Sequence, residues 1–360
     1  PMGENPHGEA IPVAAWSDAV ARGAIKLIYA VASNCLVNQH QDINKTAGIL
    51  ADESRVEFLI VQDQFLTPTA RFADLVLPAC TAFETWGVQD GWKFGDELLL
   101  MPKLVEPLGD SRSDYRICAG LAERLGIGEA YTEGRDERAW VDWILASYRD
   151  RFPDVPDVDA FEASNAGVHA KRIETPAVAL ADFRRDPKGH PLTTPSGKIE
   201  IFSAALHALG RPEEIPAIPK YVQEWESPFG DEARRFPLQG IGSHTLARVH
   251  STHANNAYLQ EAFPQRVFLN PQDAEVRAIE DGDLVRDFND RAAMLIPCRV
   301  THRVMPGVVD VPQGAWWKPD EDGVDRGGAT NVLTSDRRTP YAHGTAAHTF
   351  QVEVEREGAR

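Results

Sequence analysis

Short apolar runs that end abruptly in polar side chains mark the first part of the chain. Ile25 to Val31 empties into Ala32-Ser33-Asn34, Val56 to Val61 into Gln62-Asp63, and a third run, Leu75 to Leu77, follows Asp74. Each reads as a buried strand, because continuous apolar runs suit sheets covered on both faces. Between them the spacing turns helical. Val13 to Arg22 keeps its apolar residues on one helical face, Asp42 is placed to cap a helix reaching about Ala51, and a short helix is expected from Thr67. Strands alternating with helices predict an α/β fold built on an open parallel, Rossmann-like sheet. The polar strand ends matter, since such sheets bind ligands at the carboxyl ends of their strands.

The pattern then changes twice. Phe83 to Pro107, rich in glycine and tryptophan, reads as a loop with a short hairpin. Ser113-Asp114-Tyr115 opens a helix stopped by Gly126, and a second helix, about Glu137 to Arg149, carries the stripe Trp140, Trp143, Ile144, which reads as core packing. Asp150 to Pro237 is dense in proline and acid and reads as a connector; its one patterned island, Pro195 to Phe202, predicts a turn into a short strand. From Phe236 the pattern is all-β, with strands expected at FPLQGIG, RVFLN, DLVRDFN, AMLIPCRVT, GVVDVPQ and TFQVEVE and turns at Glu280 to Asp283 and Pro306-Gly307. Short strands with regular breaks predict a closed barrel or a sandwich. The expected organisation is therefore an α/β domain over residues 1–150, a connector over 151–235 and a β-barrel domain over 236–360.

Composition narrows the function classes. With 360 residues the chain can hold more than one domain. A formal net charge of −17 leaves no broad basic face for nucleic acid or an anionic membrane surface. No apolar run reaches the ~20 residues of a membrane-spanning helix, so direct membrane insertion is not expected. Cys35, Cys80, Cys118 and Cys298 lie far apart without a C-x-x-C pair, which excludes a closely spaced cluster or zinc set and favours buried free thiols. The opening PMGENPHGEAIP has neither the basic start nor the apolar centre of a secretory signal, and it reads as the interior of a longer chain.

A series of motifs in order carries a resemblance: QDQFLTPTARFADLVLPA, TPSGKIEIF, RVHST, NPQDA, EDGDLV, VPQGAW and NVLT. Together they resemble the molybdopterin oxidoreductases of the dimethyl sulfoxide reductase type over almost the whole chain. Within that family they look most like the C-terminal part of the catalytic subunits of anaerobic dimethyl sulfoxide reductases. The resemblance implies a cofactor in which molybdenum is held by two molybdopterin guanine dinucleotides, a bis(molybdopterin guanine dinucleotide). It also implies that residues 1–150 form part of the family's third domain and that 236–360 form its six-stranded double-psi β-barrel, the dinucleotide-binding domain. The family's N-terminal half, which carries the cysteine motif for a 4Fe–4S cluster and the molybdenum ligand, has no counterpart here. The implied activity is reduction of an S-oxide or N-oxide by oxygen-atom transfer in anaerobic respiration. Its implied partners are an iron–sulfur electron-transfer subunit and a membrane anchor, in the periplasm or cell envelope.

The same resemblance assigns site residues, each with a plainer reading beside it. Gln62 and Asp63 match the pair that holds the guanosine portion; a carboxylate accepts two parallel hydrogen bonds from the guanine N1 and N2 groups, although a strand-end acid also caps helices. Asn34 and Asn38 open the loop after the first strand, where an amide offers donor and acceptor to pterin or phosphate, or simply closes a turn. Asp114 resembles a further nucleotide contact, yet a helix N-cap is a sufficient role for it. Gly240 belongs to a loop that wraps the pterins, His250 and Ser251 match its end, and His244 is a looser match. Three histidines within HTLARVHSTH raise zinc, but their spacing fits no usual site and no acid or cysteine stands near. Trp316 takes the place of an aromatic set against the cofactor, Asn331 of a pterin-contacting asparagine, and His348 of a polar contact. Asp74 and Glu84 read as structural. Ala278 and Ala292 depart from the family by standing where relatives have glycine after arginine. No residue is assigned as catalytic or as a metal ligand.

Three other readings stay in view. One is a sister molybdenum enzyme acting on selenate, nitrate or formate, and another a cofactor-binding module inactive on its own. A nicotinamide enzyme is disfavoured, because no G-x-G-x-x-G follows any expected strand.

Overall fold

A computed structural model describes residues 11–12, 15–91, 97–150, 153–164, 178–358 and the backbone of 168–170. Residues 1–10, together with Val13 and Ala14 at the start of the first expected helix, lie outside them. Three strands, β1 (Leu27–Val31), β2 (Phe58–Asp63) and β3 (Leu75–Pro78), form a parallel sheet in the order β1-β2-β3. The first helix, α1 (Trp16–Ala21), precedes β1, and the second, α2 (Ile43–Leu50), connects β1 to β2. Asp42 caps α2 by accepting from the Lys45 N–H. After Thr67 there is only one 3₁₀ turn, Ala70–Phe72, in place of the expected helix. The link is too short for more: Asp74, four residues before the end of β3, is already tied to β2 by the Leu59 N–H on its Oδ2 at 2.7 Å.

The second half closes into a six-stranded barrel in the order β10-β8-β11-β7-β12-β9. Its strands are β7 (Leu238–Ile241), β8 (Val267–Leu269), β9 (Leu284–Phe288), β10 (Ala293–Val300), β11 (Val308–Asp310) and β12 (Phe350–Arg356). The β7–β11 and β8–β10 pairs are parallel and the remaining pairs antiparallel. Alternation along the strands turns Leu238, Val267, Leu269, Val285, Met294, Ile296, Cys298, Val309, Phe350, Val352 and Val354 inward, all buried. Gly240 pairs with Phe350 across β7–β12, and a Cβ there would lie 2.1 Å from the phenyl ring. Glycine at 240 therefore makes room for the largest side chain of the barrel core.

The chain divides into two compact units: Pro1–Val61, Leu66–Leu75 and Ile201–Arg360 in one, Gln62–Phe65 and Val76–Glu200 in the other. In the first, the α/β segment and the barrel share one apolar core, in which Val37, Ile43, Leu59 and Val61 join Leu269, Val311 and Leu333. In the second, β4 (Gly87–Asp90), β5 (Glu97–Met101) and β6 (Val168–Ala170) form an antiparallel sheet. Helix α3 (Asp114–Arg124) belongs to the same unit, as does the helix Glu137–Ser147. The apolar face of the latter that enters the core is Val141 and Leu145, not the tryptophan stripe. Trp143 is half exposed, and the Arg135 guanidinium covers it at 5.9 Å and Trp140 at 4.7 Å, so a cation takes the place of core packing. Glu84 is structural: its carboxylate accepts the N–H groups of Thr81 and Leu108 at 2.6 and 2.7 Å.

Two further expectations are corrected. Pro195 to Phe202 forms a turn, closed by Gly197 N–H to the Thr194 carbonyl at 2.9 Å, but no strand follows, because no neighbouring strand pairs with it and Ile199, Ile201 and Phe202 stay exposed. Asp114 does not cap α3. Ser113 does, accepting from the Arg116 N–H, and Asp114 is the first helical residue.

Ala278 holds φ at +52°, the left-handed region, just past the helix Pro271–Glu275. Left-handed backbone costs a residue with Cβ about 1–2 kcal/mol, and glycine returns about 0.4–1 kcal/mol of that through its freer unfolded chain. Ala278→Gly is therefore expected to raise stability by about 0.5–1 kcal/mol, read as a higher denaturation midpoint with an unchanged slope.

Candidate functional site

Because β11 runs parallel and β12 antiparallel to β7, the exits of β7 and β11 and the entrance of β12 share one end of the barrel. The loops at that end meet the loop leaving β1 around a cavity of about 470 Å³. Its walls come from Ala32–Gln41 on one side and His250-Ser251, Gln313–Ala315, Ala329–Asn331 and His343–His348 on the other. All of these lie in one compact unit. The lining is amide, hydroxyl, imidazole, the Cys35 thiol, alanine methyls and backbone; among the described residues no lysine, arginine, aspartate or glutamate lines it. Among the described residues no group of three or more His, Cys, Asp or Glu could hold a metal ion.

Asn34, Asn38, His250, Ser251, Asn331 and His348 all line this cavity. The three asparagines use their amides on the protein. Asn34 Oδ1 accepts from Thr69 N–H and Oγ1–H at 3.1 and 2.9 Å, and its Nδ2 donates to Asn38 Oδ1 at 3.1 Å. Asn38 Nδ2 donates to the Ala315 carbonyl at 2.5 Å, while Asn331 Nδ2 donates to the carbonyls of Asn38 and Gln39 at 2.9 and 3.2 Å. Asn38 and Asn331 fasten the β1 loop to the barrel loops, and Asn34 ties that loop to Thr69, so the three build the wall.

The imidazoles are held at one nitrogen each. His250 Nδ1 accepts from Gln313 Nε2 at 3.3 Å, and His348 Nδ1 donates to the Gly242 carbonyl at 3.2 Å. Both His250 and His343 carry positive φ, +51° and +52°, strain of the kind that gathers at binding sites. The His250 carbonyl is approached so closely by Gly314 that a Cβ there would lie 1.8 Å from it.

The other expected residues stand outside the lining. His244 meets His250 edge to face at 5.6 Å, and Trp316 Nε1 donates to the Ser251 carbonyl at 3.0 Å, so both shape the loop that carries the cavity residues. Gly240 sits within β7. Gln62, Asp63 and Asp114 belong to the other unit, where Gln62 Nε2 donates to Asp114 Oδ1 at 2.5 Å and Asp63 Oδ1 accepts the N–H groups of Gln64 and Phe65.

Sequence reasoning missed Gln41, Gln313, His343, Asp325 and the pair Arg248–Gln265. Gln41 is buried, lines the cavity, and leaves its Oε1 without a partner, an acceptor waiting for a donor. Asp325 is buried, and its carboxylate accepts the N–H groups of Lys318, Gly327 and Ala329 at 2.7, 2.9 and 2.6 Å, fixing the turn that leads into Ala329–Asn331. Burial pushes its carboxyl up, against the pull of those amides. Nothing in the acid-rich run PDEDGVD distinguishes Asp325 from its neighbours.

Residues 238–351 match the family model of the molydopterin dinucleotide binding domain, and 5–124 that of the molybdopterin oxidoreductases. The chain belongs to the molybdopterin oxidoreductase family. It is 38% identical over 383 residues to the dimethyl sulfoxide reductase DmsA of Escherichia coli (strain K12), matching 99% of this chain and 47% of that protein. To the dimethyl sulfoxide/trimethylamine N-oxide reductase of Rhodobacter capsulatus it is 37% identical, over 92% of this chain and 41% of that protein. The chain thus spans about half the length of the relatives it matches. The acetylene hydratase from Pelobacter acetylenicus shares the fold, with a TM-score of 0.73 over 96% of this chain and 46% of that one at 20% identity.

Proposed function

We propose that the cavity is a molybdopterin dinucleotide cradle and that the chain is the C-terminal part of a molybdenum enzyme that reduces an S-oxide or N-oxide. The observation that carries this is the origin of the walls: one comes from the segment matching the oxidoreductase model, the other from the segment matching the dinucleotide-binding model. The lining fits the group. A pterin is planar and edged with donors and acceptors, and a cavity of about 470 Å³ whose uncharged wall mixes alanine methyls with amides, hydroxyls and, among the described residues, an unpartnered buried acceptor at Gln41 suits its faces and edges. Ser33, Gln39, Gln41, Ser251 and the free imidazole nitrogens of His250 and His348 would hold it. In the other compact unit, considered by itself, Gln62, Asp63 and Asp114 are a candidate guanosine contact, where Asp63 Oδ2 has no partner among the described residues. The mixture of parallel and antiparallel pairs in the barrel supports the double-psi form.

When bound, the metal cofactor, a bis(molybdopterin guanine dinucleotide), supplies oxygen-atom transfer and the exchange of two electrons. This chain's residues bind and orient it, and the acid–base groups that line the cavity among the described residues are imidazoles and the Cys35 thiol. Relatives named as dimethyl sulfoxide, trimethylamine N-oxide and biotin sulfoxide reductases support an S- or N-oxide substrate. No helix of the described residues is long and apolar enough to cross a membrane. An iron–sulfur subunit and a membrane anchor in the cell envelope are the partners this reading calls for.

Metal and nucleotide analysis of the full-length protein tests the proposal. About one molybdenum and two guanine nucleotides per chain are expected for a bis-dinucleotide cofactor; neither present would sink it. Asp63→Ala should lower the guanine content, and unchanged content would remove Asp63 from the site.

A further inference from the structure

The proposed ligand carries pyrophosphates, yet the cavity wall holds no fixed positive charge. Within the described residues, a counter-charge would stand behind the wall or come from the imidazoles. One such cation stands behind it. Arg248 lies two residues before His250 and does not line the cavity, but its Nη2 donates to the carbonyls of Pro312 and Gln313 at 3.3 and 3.1 Å and to Gln265 Oε1 at 2.7 Å. Gln313 lines the cavity from the other side of that backbone. Gln265 Nε2 in turn donates to the carbonyls of Pro312 and Gly328 at 2.7 and 2.9 Å, so one strut braces two of the cavity's segments at their roots.

The charge of Arg248 is not neutralised. Its neighbours are carbonyl and amide oxygens, no carboxylate pairs with it among the described residues, and its Nε is buried without a partner. A guanidinium half withdrawn from water with no acid beside it keeps a charge that an anion can balance. Acids at this end of the barrel are spent elsewhere. Asp310 accepts from the Ser243 N–H and hydroxyl at 2.9 and 2.7 Å, and Asp325 from three backbone amides.

We propose that Arg248, half-buried behind the wall, is the counter-charge for the anionic end of the ligand, a positioning residue that acts through the Pro312–Gln313 backbone and touches no ligand atom. This rests on reading the cavity as a dinucleotide site. In a poorly polarisable surrounding a charge set behind one layer of backbone still acts strongly on an anion, and salt screens it less than a surface lysine.

The test uses the full-length protein purified with its cofactor, with release of guanine nucleotide followed at low and high salt. Arg248→Gln, which keeps an amide donor for the carbonyls and removes the charge, is expected to release nucleotide about tenfold faster or more. Arg248→Lys, which keeps the charge and loses the fork of donors, should stay within about threefold of the parent. Arg303→Gln is the control for simple loss of a cation, since Arg303 is an exposed arginine of the same compact unit outside the cavity lining, and it should release at the parent rate. Equal acceleration by Gln and Lys at 248 would make the residue a brace only and overturn the proposal, as would release from Arg248→Gln at the parent rate. If Arg248→Gln does not fold, Arg248→Lys decides alone: release near the parent rate supports the charge, and about tenfold faster release overturns it. Absence of guanine nucleotide from the parent protein would instead overturn the proposed function.

Discussion

Asp325→Ala is expected to destabilise the chain by about 4 kcal/mol and to loosen the cavity wall at Ala329–Asn331. Three backbone N–H groups, those of Lys318, Gly327 and Ala329, end on this one buried carboxylate at 2.6–2.9 Å. With alanine all three lose their acceptor in a place water does not reach, and each orphaned buried donor costs about 1–3 kcal/mol. Relief of the carboxylate's own desolvation offsets part of that sum. The Asp325 backbone also bridges to β10 through Leu295 N–H and the Ala293 carbonyl, at 2.9 and 3.0 Å, so the turn cannot simply move away. Asp325→Asn keeps one acceptor oxygen but turns an amide donor toward backbone donors, and should cost about half as much. Denaturant unfolding reads the loss, and amide exchange at Gly328 to Asn331 reads its place. A loss under about 1 kcal/mol would show that the turn is held by something else.

Asp287 should behave in the opposite sense. It lies on β9, fully buried, and among the described residues neither carboxylate oxygen has a partner. Burial, with the Glu353 charge adding to it, pushes its carboxyl from 3.8 up to about 8. The folded chain therefore holds a proton there that the unfolded chain releases above pH 3.8. Stability attributable to this group is full below that pH and falls as pH rises, levelling off near pH 8. At pH 7 the accumulated loss is about 4 kcal/mol, taking about 1.4 kcal/mol per pH unit. Asp287→Asn, the same shape without the proton equilibrium, is expected to match the parent at pH 4 and to be more stable by about 4 kcal/mol at pH 7. Unfolding free energies of both proteins across that range check it; parallel pH profiles would show that Asp287 is ionised and paired in the folded chain.

Much of the architecture could be read along the chain. Each of the six barrel strands falls within an apolar stretch bounded by turn residues, and Asp42 and Ser113 stand where helix caps should stand. Failures occurred where sequence periodicity was taken for burial. Trp140 and Trp143 have helical spacing, but the face set against Leu98 and Phe161 is that of Val141 and Leu145, one position on. The run Lys198 to Phe202 alternates like a strand and has no partner to pair with. In the site, Asn34 and Asn38 were legible as polar residues after the first strand and Asn331 only through the family resemblance, while the use of Asn38 and Asn331 as fasteners between segments nearly 300 residues apart was not legible.

What the sequence determined by itself is whatever depends on neighbours along the chain: the alternation that makes β7 to β12, the polar ends of β1 and β2, the caps, and the absence of a basic face. What only the tertiary structure decided is whatever depends on groups far apart in sequence. Gly240 is needed because Phe350 fills the space beside it, and the Asp325 turn is held where it is by Ala293 and Leu295 of β10. Arg248 is set apart from the chain's other arginines by the carbonyls of Pro312 and Gln313. Local pattern records which side chains prefer to be buried; closure of the barrel onto the α/β segment decides which buried charges are satisfied, and the cavity is made of what that closure leaves open.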